Sequence, residues 1–302
     1  MSVALEIFRA GPLASIQDAG RFGYLRHGIS ASGPMDRGAF AAACAGAGGA
    51  SEAIEFSQAG LGFRLAGGSV TAAFAGGAFI LRVNQRELPW PGTVTLADGD
   101  EIEVTPGPAG NYGYAAFHAE IDVPPVLSSR ATNLVAGLGG FAGRALRAGD
   151  VLTLGAVRDG RTANTQTAAP AAPAGPVRFV WGIHAEIFSP ALREAFVSRP
   201  FRISQRLDRM GVRLDDVEGV FAETTVLSLV SDAVVAGDIQ ILGDGTPIVL
   251  MRDHQPTGGY PRIGTVIDAD LDRFAQMRPG TTLAFAPVTL QKARELFLAS
   301  RA

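Results

Sequence analysis

A mainly β fold with a few short helices is what this sequence predicts, on three observations. Between Ala53 and Leu154, apolar runs of strand length alternate with glycine-containing turns, at 54–56, 62–65, 69–74, 79–83, 93–96, 101–104 and 113–117. Two strands open from the same device, Gly99-Asp100 and Gly149-Asp150, and Gly280-Thr281 resembles it. No G-x-G-x-x-G follows a strand into a helix, so a doubly wound dinucleotide fold is disfavoured and barrels or sandwiches are favoured.

Taken in order, the elements support this class. Ser32 is placed to N-cap a helix that starts near Pro34, runs through Ala45 and stops at Gly46 and Gly48. The longest uncharged run, Leu65 to Leu81, contains four glycines and reads as two strands joined by a turn, too short and too broken to span a bilayer. Residues 158–176, rich in Ala, Thr and Pro, read as a linker, which divides the chain into an N-terminal domain, 1–176, and a C-terminal domain, 177–302. The second half opens with a strand at 177–181 and a helix with Ser189 as N-cap and Pro190 at its first position, closed by Pro200. An apolar run at 225–230 and strands at 238–242, 247–251 and 263–267 follow, then a helix at 270–277 and a terminal amphipathic helix at 289–300. Met35-Asp-Arg-Gly and Leu207-Asp-Arg-Met-Gly211 form a faint internal echo that points to duplication.

Composition narrows the function. The 302 residues allow two cores, and a net charge of −3 argues against nucleic acid or an anionic membrane as the main partner. The N-terminus lacks a basic stretch followed by an apolar one, so a cytoplasmic protein is expected. The single cysteine, Cys44, excludes an internal disulfide and reads as a buried helical residue. Lys292 is the only lysine, which excludes a P-loop, a Schiff-base lysine in the body of the chain and a Met-Lys-Met biotin site. The four histidines show no metal-ligand spacing, and no Gly-x-Ser-x-Gly elbow is present, so neither a metal site nor serine-hydrolase chemistry is expected.

The chemistry gathers in polar blocks between apolar strands, above all Met251-Arg-Asp-His-Gln-Pro-Thr-Gly-Gly-Tyr-Pro261. Asp253, His254, Gln255 and Tyr260 are the candidate catalytic residues there. Thr257, Gly258 and Gly259 are candidate binding positions, the glycines letting a ligand approach the backbone. Gln17, Asp18, Arg21, Asp36 and Arg37 cluster near a strand end and a helix start, and with Asp208 and Arg209 complete the candidate substrate-binding set. Ordinary turn and first-turn charges are the competing reading of these residues. The set suits a small polar molecule and charge developing on a carbonyl or phosphoryl oxygen.

Six blocks carry a family resemblance: Ser15-Ile-Gln-Asp-Ala-Gly-Arg-Phe-Gly-Tyr24, Ser32-Gly-Pro-Met-Asp-Arg37, Val126-Leu-Ser-Ser-Arg-Ala-Thr132, Gly139-Gly-Phe-Ala-Gly-Arg-Ala-Leu146, Asp208-Arg-Met-Gly-Val-Arg-Leu214 and Thr257-Gly-Gly-Tyr-Pro-Arg-Ile-Gly264. In family order over nearly the whole chain, they resemble the C-type subunits of 5-oxoprolinase, a family also called allophanate hydrolase subunit 2. The resemblance implies two cyclophilin-like β-barrel domains and a B-type partner chain, with a LamB-type third subunit as a further partner. It implies an ATP-dependent hydrolase of a small polar amide, converting 5-oxoproline to glutamate, in which ATP activates the lactam carbonyl in the assembled complex and the chain alone is inactive. Two alternatives stay open: a biotin-dependent carboxyltransferase component whose biotin is carried by another chain, and a regulatory binding subunit without chemistry. The sequence departs from the family pattern at His118, Glu120, Asp238, His254 and Pro256. At 254 a titratable imidazole replaces a permanent cation.

Overall fold

Two long strands organise the first half of the chain: Val70–Val83 and Glu101–Phe117 pair antiparallel along nearly their whole lengths. In this computed structural model, which describes residues 3–157, 175–223 and 228–300, these strands replace the pairs of short strands and turns expected at 69–83 and 101–117. Close packing explains the difference. Gly76, Gly77 and Gly107 sit at register shifts where a side chain would strike the backbone of the opposite strand, so the glycines bend paired strands instead of ending them.

The chain forms two compact units, Met1–Gly23 with Ala31–Ala171 and Tyr24–Ser30 with Ala172–Ala302. The first is one curled ten-stranded sheet. The far half of Glu101–Phe117 pairs with Ala53–Phe56, which pairs with Ser15–Gln17. Its near half pairs with Leu61–Ala66, and the order continues through Val3–Ala10 and Val151–Val157 to Ala119–Ile121. Phe56, Phe63, Phe74, Phe79 and Phe117 fill its core. The first helix, α1 (Arg37–Gly46), lays Ala39, Ala43 and Cys44 on Ala53, Ala73, Ala75 and Ala116, small residues on both sides that let helix and sheet approach closely. Cys44 is buried there, as its alanine-rich setting predicts. The cap is not the one expected: Asp36 accepts from the Ala39 N–H, while Ser32 stands four residues earlier with φ 58°.

The second unit is an eight-stranded sheet in the order Thr282–Leu283, Phe201–Leu207, Gly211–Asp215, Pro247–Leu250, Asp238–Ile241, Arg262–Val266, Val177–Trp181, Phe285–Pro287. Only the last of these pairings is parallel. Its inner face is aromatic: Phe196 of α2 (Pro190–Ser198) stacks on Phe285 at 4.8 Å and packs against Phe179, Phe201 and Phe221. Helix α2 begins as the sequence predicts, with the Ser189 hydroxyl accepting from the Leu192 N–H and Pro190 at the first position. The third helix, α3, runs Asp268–Ala275, two residues earlier than expected, and α4 spans Leu290–Ala299 with no fully buried residue. The mainly β, barrel-like architecture with short helices therefore holds. Most of the linker, 158–174, and half of the apolar run at 225–230 lie outside the described residues. Among the described residues no helix is long and apolar enough to cross a membrane.

The sequence echo has no structural counterpart. Asp36 caps a helix, whereas Asp208 turns a hairpin, its Oδ1 accepting from the N–H groups of Met210 (2.7 Å) and Gly211 (3.1 Å).

Candidate functional site

A cavity of about 550 Å³ lies on the face of the second sheet turned away from the aromatic core. Strand alternation puts it there. Val212 and Leu214 enter the core while Arg213 faces the cavity, and Ile239 and Ile241 enter the core while Gln240 faces it. A bulge between Ile203 and Leu207 switches faces along that strand, so Phe201 and Ile203 are core residues but Gln205 and Leu207 line the cavity. Arg206, Asp208, Gln255 and Tyr260 complete the polar wall, over an apolar floor of Leu242, Ile248 and Leu250.

The block 251–261 is pinned behind this wall by backbone bonds to the neighbouring hairpin. The Met251 N–H donates to Met210 O (2.8 Å) and the Asp253 N–H to Arg209 O (2.7 Å). Residues 209 and 253 pair through their side chains as well: Arg209 Nε donates to Asp253 Oδ2 at 2.9 Å and Nη2 to Oδ1 at 3.1 Å, with both side chains buried. Such a two-pronged pair locks the hairpin to the block and leaves Asp253 turned from the cavity. His254 is also buried, its Nδ1 2.7 Å from its neighbour's carbonyl, Gln255 O. Thr257 and Gly258 pair with Ala233 and Asp232 in a short two-stranded ribbon, and the Gly259 carbonyl accepts from the Leu229 N–H at 2.6 Å.

The structure thus divides the predicted residues of this unit. Asp208, Gln255 and Tyr260 stand on the cavity wall. Arg209, Asp253, His254, Thr257, Gly258 and Gly259 stand behind it and do not line it. Arg206, Arg213 and Gln240 were not singled out from the sequence. A signal for two of them was available: each is a polar residue between apolar neighbours in Val212-Arg213-Leu214 and Ile239-Gln240-Ile241.

In the first unit, Gln17, Asp18 and Arg21 bind the loop at 126–132 to the strand end at 17. Gln17 Nε2 donates to Thr132 O (3.1 Å). Asp18 accepts from the Ser129 hydroxyl (2.7 Å) and the Arg130 N–H (2.6 Å). Arg21, buried, donates to the carbonyls of Val126 (3.0 Å) and Ala131 (2.7 Å). Asp36 is the α1 cap and Arg37 the first residue of that helix. Beneath them lies a network the sequence did not disclose: the buried Glu55 Oε2 accepts from the Met35 N–H (2.8 Å) and the Tyr114 hydroxyl (2.7 Å). Burial and the neighbouring charges of Glu55 and Asp36 push the Tyr114 hydroxyl well above its usual pKa, keeping it a donor.

The departures from the family pattern are absorbed locally. Asp238 is buried and accepts from the Thr265 hydroxyl (2.7 Å), the Val235 N–H (3.0 Å) and Arg262 (3.3 Å). His118 Nδ1 lies 3.1 Å from Ala47 O, and Glu120 lies 3.7 Å from Arg130. Among the described residues no group of three or more His, Cys, Asp or Glu side chains could hold a metal ion.

Comparison with known proteins gives a consistent picture. The pattern described as carboxyltransferase domain, subdomain A and B, matches residues 27–287. The C-type subunit of 5-oxoprolinase from Escherichia coli K12 is 33% identical over 96% of this chain and 93% of its own length. That of Haemophilus influenzae is 31% identical over 97% and 94%. The crystal structure of Kluyveromyces lactis urea carboxylase contains a region that superposes on 99% of this chain with a TM-score of 0.88 and 26% identity, spanning 28% of that longer chain.

Proposed function

This chain belongs to the carboxyltransferase domain family, subdomain A and B, and on that premise we propose that it is the C-type subunit of a 5-oxoprolinase, an ATP-dependent amide hydrolase assembled with a B-type partner chain in the cytoplasm. The observation that carries the reading is the wall of the 550 Å³ cavity, which is lined by two guanidinium groups, Arg206 and Arg213, and three carboxamides, Gln205, Gln240 and Gln255. Arg206 and Arg213 match a carboxylate, and Gln240 and Gln255 match an amide, the two groups that 5-oxoproline carries in one small ring. In this role the arginines hold the substrate carboxylate, the glutamine side fixes the ring, and the apolar floor excludes water from the far side.

No nucleotide motif is legible in the sequence of this chain. In this reading ATP is held by another chain of the complex.

A second reading, a carboxyltransferase component, is favoured by the match to urea carboxylase. Biotin would then arrive on another chain, since Lys292, the only lysine, is flanked by Gln291 and Ala293 and not by the methionines of a biotin-attachment site. The two readings separate in one experiment. The chain is co-expressed with its B-type homologue, and the complex is assayed for 5-oxoproline-dependent release of glutamate and for carboxylation of urea with a biotin carrier added. Glutamate release supports the hydrolase; carrier-dependent carboxylation alone would replace it with the second reading.

A further inference from the structure

Helix α4 covers a void instead of a core. Leu290, Ala293, Arg294 and Phe297 recur at the spacing of one helix face, yet no residue of α4 is fully buried and Leu290 is 74% exposed. These four residues form one wall of a second cavity, about 660 Å³, which shares no lining residue with the first. Facing them, the sheet supplies Val180 and Thr265, paired in register, and α3 supplies Leu271. A cavity of this size takes a small molecule, and an apolar wall beside charged groups marks a binding surface.

The charges around this cavity decide what kind of molecule. Asp238, Arg262 and Thr265 are spent on one another: Asp238 accepts from the Thr265 hydroxyl and from the Arg262 guanidinium, which also donates to Ala233 O at 2.8 Å. Asp268 stands in the first turn of α3, where a negative charge suits the helix N-terminus, and it is engaged within the protein. Arg294 is left over. Lys292 and Glu295 beside it pair with each other at 3.1 Å, and among the described residues no hydrogen bond or ion pair reaches its guanidinium. A guanidinium at the edge of an apolar wall suits one carboxylate on an apolar body. We infer that this cavity is a binding site for a small apolar monocarboxylate, whose chain lies between α4 and the sheet and whose head meets Arg294. The inference does not rest on the reading of the first cavity.

Calorimetry on the full chain tests it with butanoate, hexanoate and octanoate, and with octan-1-ol as the uncharged probe. Octanoate is expected to bind with a Kd on the order of 0.1–1 mM, and each added methylene to strengthen binding by about fourfold, the worth of a buried CH2. Arg294→Gln is expected to weaken octanoate by about tenfold and to leave octan-1-ol unchanged. Ala293→Trp fills the cavity from a helix that buries no residue, so the fold is expected to survive, which melting checks, while both probes lose binding. If that variant does not fold, Arg294→Gln and the chain-length series decide alone. Absence of octanoate binding at about 5 mM overturns the inference, as does octanoate affinity that Arg294→Gln or a folded Ala293→Trp leaves unchanged. Affinity that is flat along the chain-length series would show a surface ion pair and overturns the apolar site. Protection of α4 amides from hydrogen exchange by the B-type homologue, with no octanoate binding, overturns it in favour of a protein interface.

Discussion

Asp253 and Gly258 show what one residue does when it stands behind a cavity wall instead of on it. Asp253 neutralises a buried guanidinium, so Asp253→Asn leaves Arg209 charged beside a neutral amide. We expect a loss on the order of 3–5 kcal/mol in urea unfolding of the chain, with activity per folded molecule in the complex unchanged. A fall in activity at unaltered stability would instead return Asp253 to the reacting atoms. The paired glycines differ in the same way. A side chain at Gly258 meets the buried Gln240 amide, whereas one at Gly259 meets Leu229 O at 3.1 Å, an edge that can yield by a few tenths of an ångström. Gly258→Ala is expected to lower both the melting temperature and the binding of 5-oxoproline by the complex, and Gly259→Ala to change each by less. Equal effects would show that the carboxamide of Gln240 is free to move aside.

At the scale of the element, a buried carboxylate ties α3, which also buries Leu271 and Phe274, to the sheet. Asp270 accepts from the Arg178 N–H (2.8 Å) and from the guanidinium groups of Arg178 and Arg273, fastening the helix to the strand Val177–Trp181. Arg273 in turn donates to the carbonyls of Gly175 and Pro176, so the same node fixes the entry to that strand. Burial alone would raise the Asp270 pKa; the hydrogen bonds and charges of Arg178 and Arg273 outweigh it and hold the carboxyl below its usual value. Because the folded pKa is depressed, this contribution is complete above the unfolded pKa, about 3.9, and is lost as pH falls through the folded value. Asp270→Asn is therefore expected to destabilise the chain by about 3 kcal/mol at pH 7 and by progressively less below pH 4. Urea unfolding of wild type and variant across that range checks it, and a difference that stays constant with pH would refute the electrostatic account.

For the whole molecule, the proposed function requires a partner chain. No nucleotide motif is legible in the sequence, and the cavity wall offers holding groups, the guanidiniums and carboxamides. The purified chain is expected to show no steady-state turnover of 5-oxoproline plus ATP and to co-elute with its B-type homologue on size-exclusion chromatography at micromolar concentration. Robust turnover by the single chain, or separate elution of the co-expressed pair, would sink the divided-site reading.

What the sequence determined by itself was whatever rests on local order. Alternating apolar runs settled the mainly β class, Ser189-Pro190 marked the start of α2, and the alanine-rich setting of Cys44 placed it in a buried helix face. The family was legible too, because its blocks are contiguous. Tertiary structure alone decided which polar residues share a cavity. In a strand, facing changes with each residue and reverses at a bulge, so the bulge between Ile203 and Leu207 turned Gln205 and Leu207 toward the cavity with no mark in the sequence. It also decided that Asp253 would be spent on Arg209, a partner 44 residues away that only chain folding brings to 2.9 Å. The glycines at 76, 77 and 107 read as turns for the same reason: nothing local distinguishes a glycine that ends a strand from one that admits another backbone beside it.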